Sequence, residues 1–204
     1  VEVVDTDSID AALLMLRQER AARPLVLNLA SARHPGGAWM EGTSTQEESL
    51  FRRSNYFETL DERLYEYTAM EGATAIYSPQ VCVFRGRERD GAPFWAQPVL
   101  LDFVAVAAVR KPRLVESSSS GRVRRVLSEH DRATMARKID TLLKVAVKFN
   151  HRHLVLGALG CGAYGCPAAD VAQLFAQALG HYSGCFSRVT FAILGGGELM
   201  SCFP

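Results

Sequence analysis

Apolar residues along this chain alternate between near-continuous short runs and the spacing of a single helix face. An apolar run at residues 1–4 precedes residues 8–20, where Ile9, Ala12, Leu13 and Leu16 recur at helical spacing. Residues 24–30 (PLVLNLA) read as a buried strand, giving the order strand, helix, strand. A turn-rich stretch, HPGGAWMEGTST, gives way to QEESLFRRSNYFETL, in which Leu50, Phe51, Ser54 and Phe57 share one face. A second helix is expected to begin near Ser44 or Thr45. Residues 73–109 hold β-rich pieces (ATAIY, VCVFR, PVLLDFVAV) that Pro79, Gly86, Gly91, Pro93 and Pro98 are expected to break. The following VESSSSGR reads as a mobile loop, and helix is expected around residues 127–150. The last third reads as strand HLVLGAL, glycine loop GCGAYGCP, helix AADVAQLFAQAL and strand RVTFAIL.

This alternation predicts an α/β sandwich around a mostly parallel or mixed sheet. Ligands of such sheets sit beyond the carboxyl ends of the strands, where glycine loops feed helix N-termini. Two loops fit, one after Leu29 and one after Leu159. With 204 residues, no internal repeat and no linker, the chain is expected to be one domain over residues 1–204, given ~150 residues for a typical domain.

Composition narrows the function classes. A chain 48% hydrophobic and 22% charged can bury a core, which excludes disorder and mini-protein scaffolds. Twenty-three basic against 22 acidic residues leave a net charge of +1, without the broad basic excess of a sequence-independent duplex binder. Sequence-specific nucleic-acid binding is not expected either, while a local anion site stays open. Five thinly spread cysteines (Cys82, Cys161, Cys166, Cys185, Cys202) point to a reducing, intracellular setting, cytoplasm or nucleus. The N-terminus is amphipathic and interrupted by acids, unlike a signal peptide. The longest apolar stretch, residues 103–109, falls short of the about 20 residues that span a bilayer, so a soluble protein with no membrane partner is expected.

The loop after Leu159 spells Gly160-Cys161-Gly162-Ala163-Tyr164-Gly165, formally GxGxxG, with Pro167 near the first turn of the next helix. Glycines there let backbone N–H groups approach a phosphate that the helix N-terminus favours. A dinucleotide fold is a poor reading, because no Asp or Glu occurs between Val171 and Gly197 to take a ribose. A diphosphate loop and a tight packing loop both remain open. In the other loop, Ser44 with Glu47, or Thr45 with Glu48, has capping-box spacing, which is a structural alternative to chemistry. Adjacent Glu47 and Glu48 would point about 100° apart on a helix, so they need separate roles.

The segments Asn28-Leu-Ala-Ser-Ala-Arg-His-Pro-Gly36-Gly37-Ala38, Gln46-Glu47-Glu48 and Gly160-Cys-Gly-Ala-Tyr164-Gly together resemble the microbial-type poly(ADP-ribose) glycohydrolase catalytic domain. That family carries a glycine triplet followed after a short spacer by Gln-Glu-Glu, and the likeness runs from the opening VEVVDTDSIDAA to the terminal TFAILGGGELM. It implies a macrodomain-like three-layer α/β/α sandwich with a mixed central sheet. It further implies hydrolysis of ribose–ribose O-glycosidic bonds of poly(ADP-ribose) on modified proteins, mainly from chain ends, by a monomer needing no cofactor and no metal.

By resemblance, Glu48 is the catalytic acid and base, and Glu47 holds the ribose hydroxyls. Gln46 fixes the loop. Gly36, Gly37 and Ala38 face the diphosphate and distal ribose, with Gly160, Cys161, Gly162 and Ala163 on the opposite loop and Tyr164 beside the nucleotide. Asn28 and Ser31 sit at the strand end beside the reacting ribose. Ala38 replaces the third glycine, and the sequence does not assign the adenine-stacking residue near Phe191 and Leu194. The accessory helices that often precede such a domain have no counterpart, and the abrupt start at Val1 suggests either a short form or a trimmed piece of a longer chain. A tyrosine clasp like that of animal enzymes has no clear match. A non-catalytic ADP-ribose reader and a mono(ADP-ribosyl) hydrolase are the alternatives, with a nucleotide-dependent oxidoreductase third.

Other features carry less. His151 and His153, with Cys161 and Cys166, lack the spacing of a strong zinc site. Arg52-Arg53 and the run Gly121-Arg-Val-Arg-Arg read as solvated charge, and Trp39 and Trp95 as core. There is no Gly-x-Ser-x-Gly elbow and no glycine loop ending in Gly-Lys-Ser/Thr.

Overall fold

The computed structural model describes residues 1–43, 45–60, 70–119, 122–195 and 197–203. Strand β1 (Glu2–Val4), helix α1 (Ser8–Gln18) and strand β2 (Pro24–Leu29) open the chain. Asp7 caps α1 by accepting the Asp10 N–H at 3.0 Å. Alternate residues of β2 feed two different cores, Leu25 and Leu27 on one side of the sheet and Val26 on the other. The same alternation sends Asn28 toward the Val26 side. That geometry decides where the site forms.

Helix α2 (Gln46–Arg53) follows, then strands β3 (Ile76–Arg85) and β4 (Phe94–Val106). The second half contains a hairpin of β5 (Leu114–Ser119) and β6 (Arg122–Leu127), helix α3 (Glu129–Lys148), strand β7 (His153–Leu156), helix α4 (Ala168–His181), strand β8 (Arg188–Ala192) and helix α5 (Gly197–Ser201). The main sheet has the order β1-β8-β7-β2-β4-β3. Its first five strands run parallel and β3 runs antiparallel to β4.

Helices α1 and α2 cover one face, where Ile9, Met15, Leu50 and Phe51 pack on Val26, Phe103 and Val155. Helices α3 and α4 cover the other, where Ile139, Leu143, Val171 and Phe175 pack on Leu27, Val104, Leu154 and Phe191. Each such fully buried apolar side chain contributes roughly 1.5–3 kcal/mol, so both layers are secured by burial. This is the expected three-layer α/β/α sandwich with a mixed sheet. Among the described residues, no helix is long and apolar enough to cross a membrane.

Three sequence expectations need correction. Pro79 and Pro98 lie inside β3 and β4 instead of breaking them. β3 is an edge strand, and its pairing shifts register between Ser78 and Val81, so Pro79 sits where a ladder bond is already lost. A second shift, between Val83 and Arg85, faces the part of β4 that holds Pro98. Residues 115–119 of the expected mobile loop are strand, paired from Leu114↔Leu127 to Ser119↔Arg122, while Ser120 and Gly121 lie outside the described residues. A strand needs only its backbone to pair, which a run of serines conceals. The strand read at HLVLGAL is shorter and ends at Leu156, leaving residues 157–159 in the loop.

Candidate active site

A cleft of about 600 Å³ opens along the carboxyl edge of the sheet. Residues just beyond all five parallel strands line it: Asp7 after β1, Ile193 and Leu194 after β8, Gly157 through Gly160 after β7, Ala30 and Ser31 after β2, and Ala108 after β4. The sequence marked three of these contributions: the loops after β2 and β7, and the end of β8 near Phe191 and Leu194 as the adenine side that the resemblance implies. The contributions of β1 and β4 were missed because no glycine loop follows either strand.

Helix α2 brings the two acids to the cleft. Gln46 docks it onto β2 by accepting the Leu29 N–H at 2.8 Å and donating to Leu27 O at 2.7 Å and Ser8 Oγ at 3.0 Å. Glu47 is 2% exposed. Its Oε1 accepts from Asn28 Nδ2 at 3.2 Å and Gly36 N at 3.1 Å, and its Oε2 from Ser31 N at 2.6 Å. Burial pushes its pKa up to about 7, against the opposing pull of those three donors. A carboxylate offers about four acceptor positions, so three bonds leave one on Oε2 for a hydroxyl.

Glu48 also lines the cleft. Its Oε2 accepts from the Thr45 N–H at 3.1 Å and from the Thr45 hydroxyl, the reach-back contact of a capping box. Its Oε1 receives only a long 3.4 Å bond from Ala38 N. Capping and chemistry are therefore compatible, because they use different oxygens. Ser44, the other capping candidate, lies outside the described residues.

The preceding loop is bent by two consecutive glycines in the left-handed region, Gly36 at φ +74° and Gly37 at φ +56°. A Cβ on Gly37 would abut the Glu48 carboxylate, 3.3 Å from its Cδ, and would lie 3.6 Å from Glu47 Oε2. Ala38 is different. Its φ of −106° is negative, so no left-handed conformation calls for a third glycine there. Asn28, Gly36 and Ala38 support the carboxylates from behind and do not line the cleft; Gln46, Gly37 and Ser31 do.

On the opposite wall stand Gly160, Gly162, Ala163 and Tyr164, whereas Cys161 turns away into a partly buried position. Gly160, at φ +78°, packs so closely that a Cβ would lie 2.5 Å from Ala108 Cβ. Gly162 faces open space. The Tyr164 hydroxyl accepts the Ala32 N–H at 2.8 Å, joining the two loops. Near the β8 end, Phe191 is fully buried, and the exposed Leu194 lines the cleft with Ile193 and Leu199.

Arg52 and Arg53 are not solvated: Arg52 donates to Trp39 O and Glu88, and Arg53 is 2% exposed with Nη1 3.2 Å from Asp7 Oδ1. Arg87 reaches the same acids, Asp7 and Asp10. The sequence hides this, because the acids precede Arg53 by more than forty positions. His151 lies between Tyr77 Oη and Arg23 O, and His153 pairs with Glu19 at 2.9 Å. Burial pushes the Cys161 and Cys166 thiols up to about 12. Among the described residues, no three His, Cys, Asp or Glu side chains are grouped as a metal ion would require. Trp39 and Trp95 are half-buried against the α1/α2 core.

Comparison with known proteins meets this geometry. Residues 1–86 match the family model described as microbial-type PARG, catalytic domain. A poly(ADP-ribose) glycohydrolase from Thermomonospora curvata, solved with the inhibitor ADP-HPD, is 29% identical with a TM-score of 0.84, over 99% of this chain and 77% of that one. The Deinococcus radiodurans enzyme in complex with ADP-ribose is 29% identical with a TM-score of 0.78, over 99% of this chain and 81% of that one. No curated protein matches the chain by sequence. The resemblance read from the glycine loop and Gln46-Glu47-Glu48 holds, and the sandwich is macrodomain-like.

Proposed function

We propose that this protein is a poly(ADP-ribose) glycohydrolase, a glycosidase that cleaves ribose–ribose O-glycosidic bonds and releases ADP-ribose. The observation that carries the reading is the pair Glu47 and Glu48 in the cleft, held by N–H groups of the strand end and glycine loop. The diphosphate would lie between the Gly37 loop and the Gly160 to Tyr164 loop, which supply close backbone approach. ADP-ribose is released mainly from chain ends. The protein works as a monomer inside the cell, in keeping with its free cysteines.

Hydrolysis needs a proton on the departing oxygen and charge relief at an oxocarbenium-like anomeric carbon. Glu48 Oε1, the less engaged oxygen, donates the proton as the C–O bond breaks and the bonding pair leaves with the ribose oxygen. Water then attacks the anomeric carbon and returns its proton to Glu48. Glu47 accepts a ribose hydroxyl at its remaining position and fixes the sugar. Asn28, Ser31 and Gly36 hold Glu47, and the diphosphate eases the positive charge.

The test is release of ADP-ribose from poly(ADP-ribosyl)ated protein by wild type and by Glu48→Gln, with a mono-modified protein alongside. Wild type is expected to act on the polymer, while Glu48→Gln retains ADP-ribose affinity and loses at least ~100-fold in kcat. Tight ADP-ribose binding without release from either substrate would make the protein a reader.

A further inference from the structure

Residues 110–125 carry Arg110, Lys111, Arg113, Arg122, Arg124 and Arg125 against one acid, Glu116. Six positive charges and one negative give this segment +5, and the whole chain carries +1, so the remaining residues sum to −4. The segment therefore carries a local net positive charge that the rest of the protein largely offsets.

That place adjoins the cleft. Ala108 lines it, Arg110 follows two residues later, and the Lys111 N–H donates to the carbonyl of Tyr164, another lining residue, at 3.1 Å. The hairpin of β5 and β6 then extends as a separate two-stranded sheet. Arg124 stands three residues from the hairpin base at Leu127, ~10 Å along the strand. It lies directly opposite Ser117, whereas Arg125 lies opposite Glu116. Residues directly opposite in an antiparallel pair share a face, so Arg124 has a hydroxyl for a neighbour and Arg125 an acid. Arg110, Lys111 and Arg124 are exposed, and none of the ion pairs among the described residues engages them. Exposed, unpaired guanidinium and ammonium groups beside a hydroxyl suit a diphosphate.

We infer that Arg110, Lys111 and Arg124, with Ser117, form a second anion site, a basic rim that holds diphosphates of the polymer outside the cleft, so that long chains bind better than short ones. This rests on the glycohydrolase reading. A nucleic acid is the poorer occupant, because a polymer whose end is held in the adjoining cleft is kept at high local concentration beside this rim, whereas a nucleic acid has no such anchor.

The test compares wild type with the triple variant Arg110→Gln/Lys111→Gln/Arg124→Gln on long poly(ADP-ribose) and on an ADP-ribose dimer. At about 50 mM salt the variant's KM for the long chain is expected to rise ~10-fold, with kcat and the dimer's KM unchanged, and its salt dependence to flatten. An unchanged KM for the long chain overturns the inference while leaving the enzyme intact. Failure of wild type to cleave either substrate overturns the enzyme instead, and direct binding then decides. Weakened binding of long polymer with unchanged ADP-ribose affinity upholds the second site, and equal binding removes it. Duplex DNA bound by wild type as tightly as polymer, and lost in the variant, reassigns the surface to nucleic acid.

Discussion

The Ala32 N–H donates to the Tyr164 hydroxyl at 2.8 Å, a bond between residues 132 positions apart that ties the acid-bearing wall of the cleft to the glycine wall. Tyr164→Phe leaves the buried Ala32 N–H without a partner, at a cost of ~1–3 kcal/mol. Stability in denaturant is expected to fall by that amount and ADP-ribose affinity several-fold. If both are unchanged, the bond does not set the width of the cleft.

Gly37 and Ala38 are neighbours with opposite tolerance. Gly37→Ala places a methyl group against the Glu48 carboxylate at a left-handed backbone position, and turnover is expected to fall at least ~100-fold with the fold retained. Ala38→Gly is expected to leave kcat/KM within about a factor of two, because position 38, at φ −106°, has no left-handed backbone that calls for glycine. Steady-state kinetics of the two variants separate these outcomes, and a reversed order would mean that position 38 shapes the distal ribose pocket.

Glu47 makes stability depend on pH in a direction unusual for a hydrogen-bonded carboxylate. Burial raises its pKa from 4.5 to about 7, so between these values the native state keeps a proton that the unfolded chain has released. Stability contributed by this group is therefore highest below pH 4.5 and falls as pH rises to about 7, by up to ~3 kcal/mol. Glu47→Gln removes that dependence. Urea unfolding at about pH 5 and about pH 8 should show the variant gaining on wild type at the higher pH; a constant difference would place the titration elsewhere.

Much of the site was legible because its parts are local. Thr45, Gln46 and Glu48 announce a helix start within four residues, and Gly36 and Gly37 announce a turn that only glycine makes. The α/β order was legible because buried parallel strands are near-continuous apolar runs, as in residues 24–29. What escaped is long-range. Arg53 looks like a surface charge until Asp7, at the start of α1, folds against it, and Pro79 looks like a strand breaker until β3 takes the edge of the sheet. The hairpin escaped because its serines say nothing of their partners across the turn.

Three backbone N–H groups, those of Leu29, Ser31 and Gly36, are bonded to side chains of Gln46 and Glu47. Their protection from hydrogen exchange is therefore set by the docking of α2 alone and not by the sheet ladder. The protein carries its own gauge of readiness: these three amides slow together when α2 is docked and quicken together when it lifts.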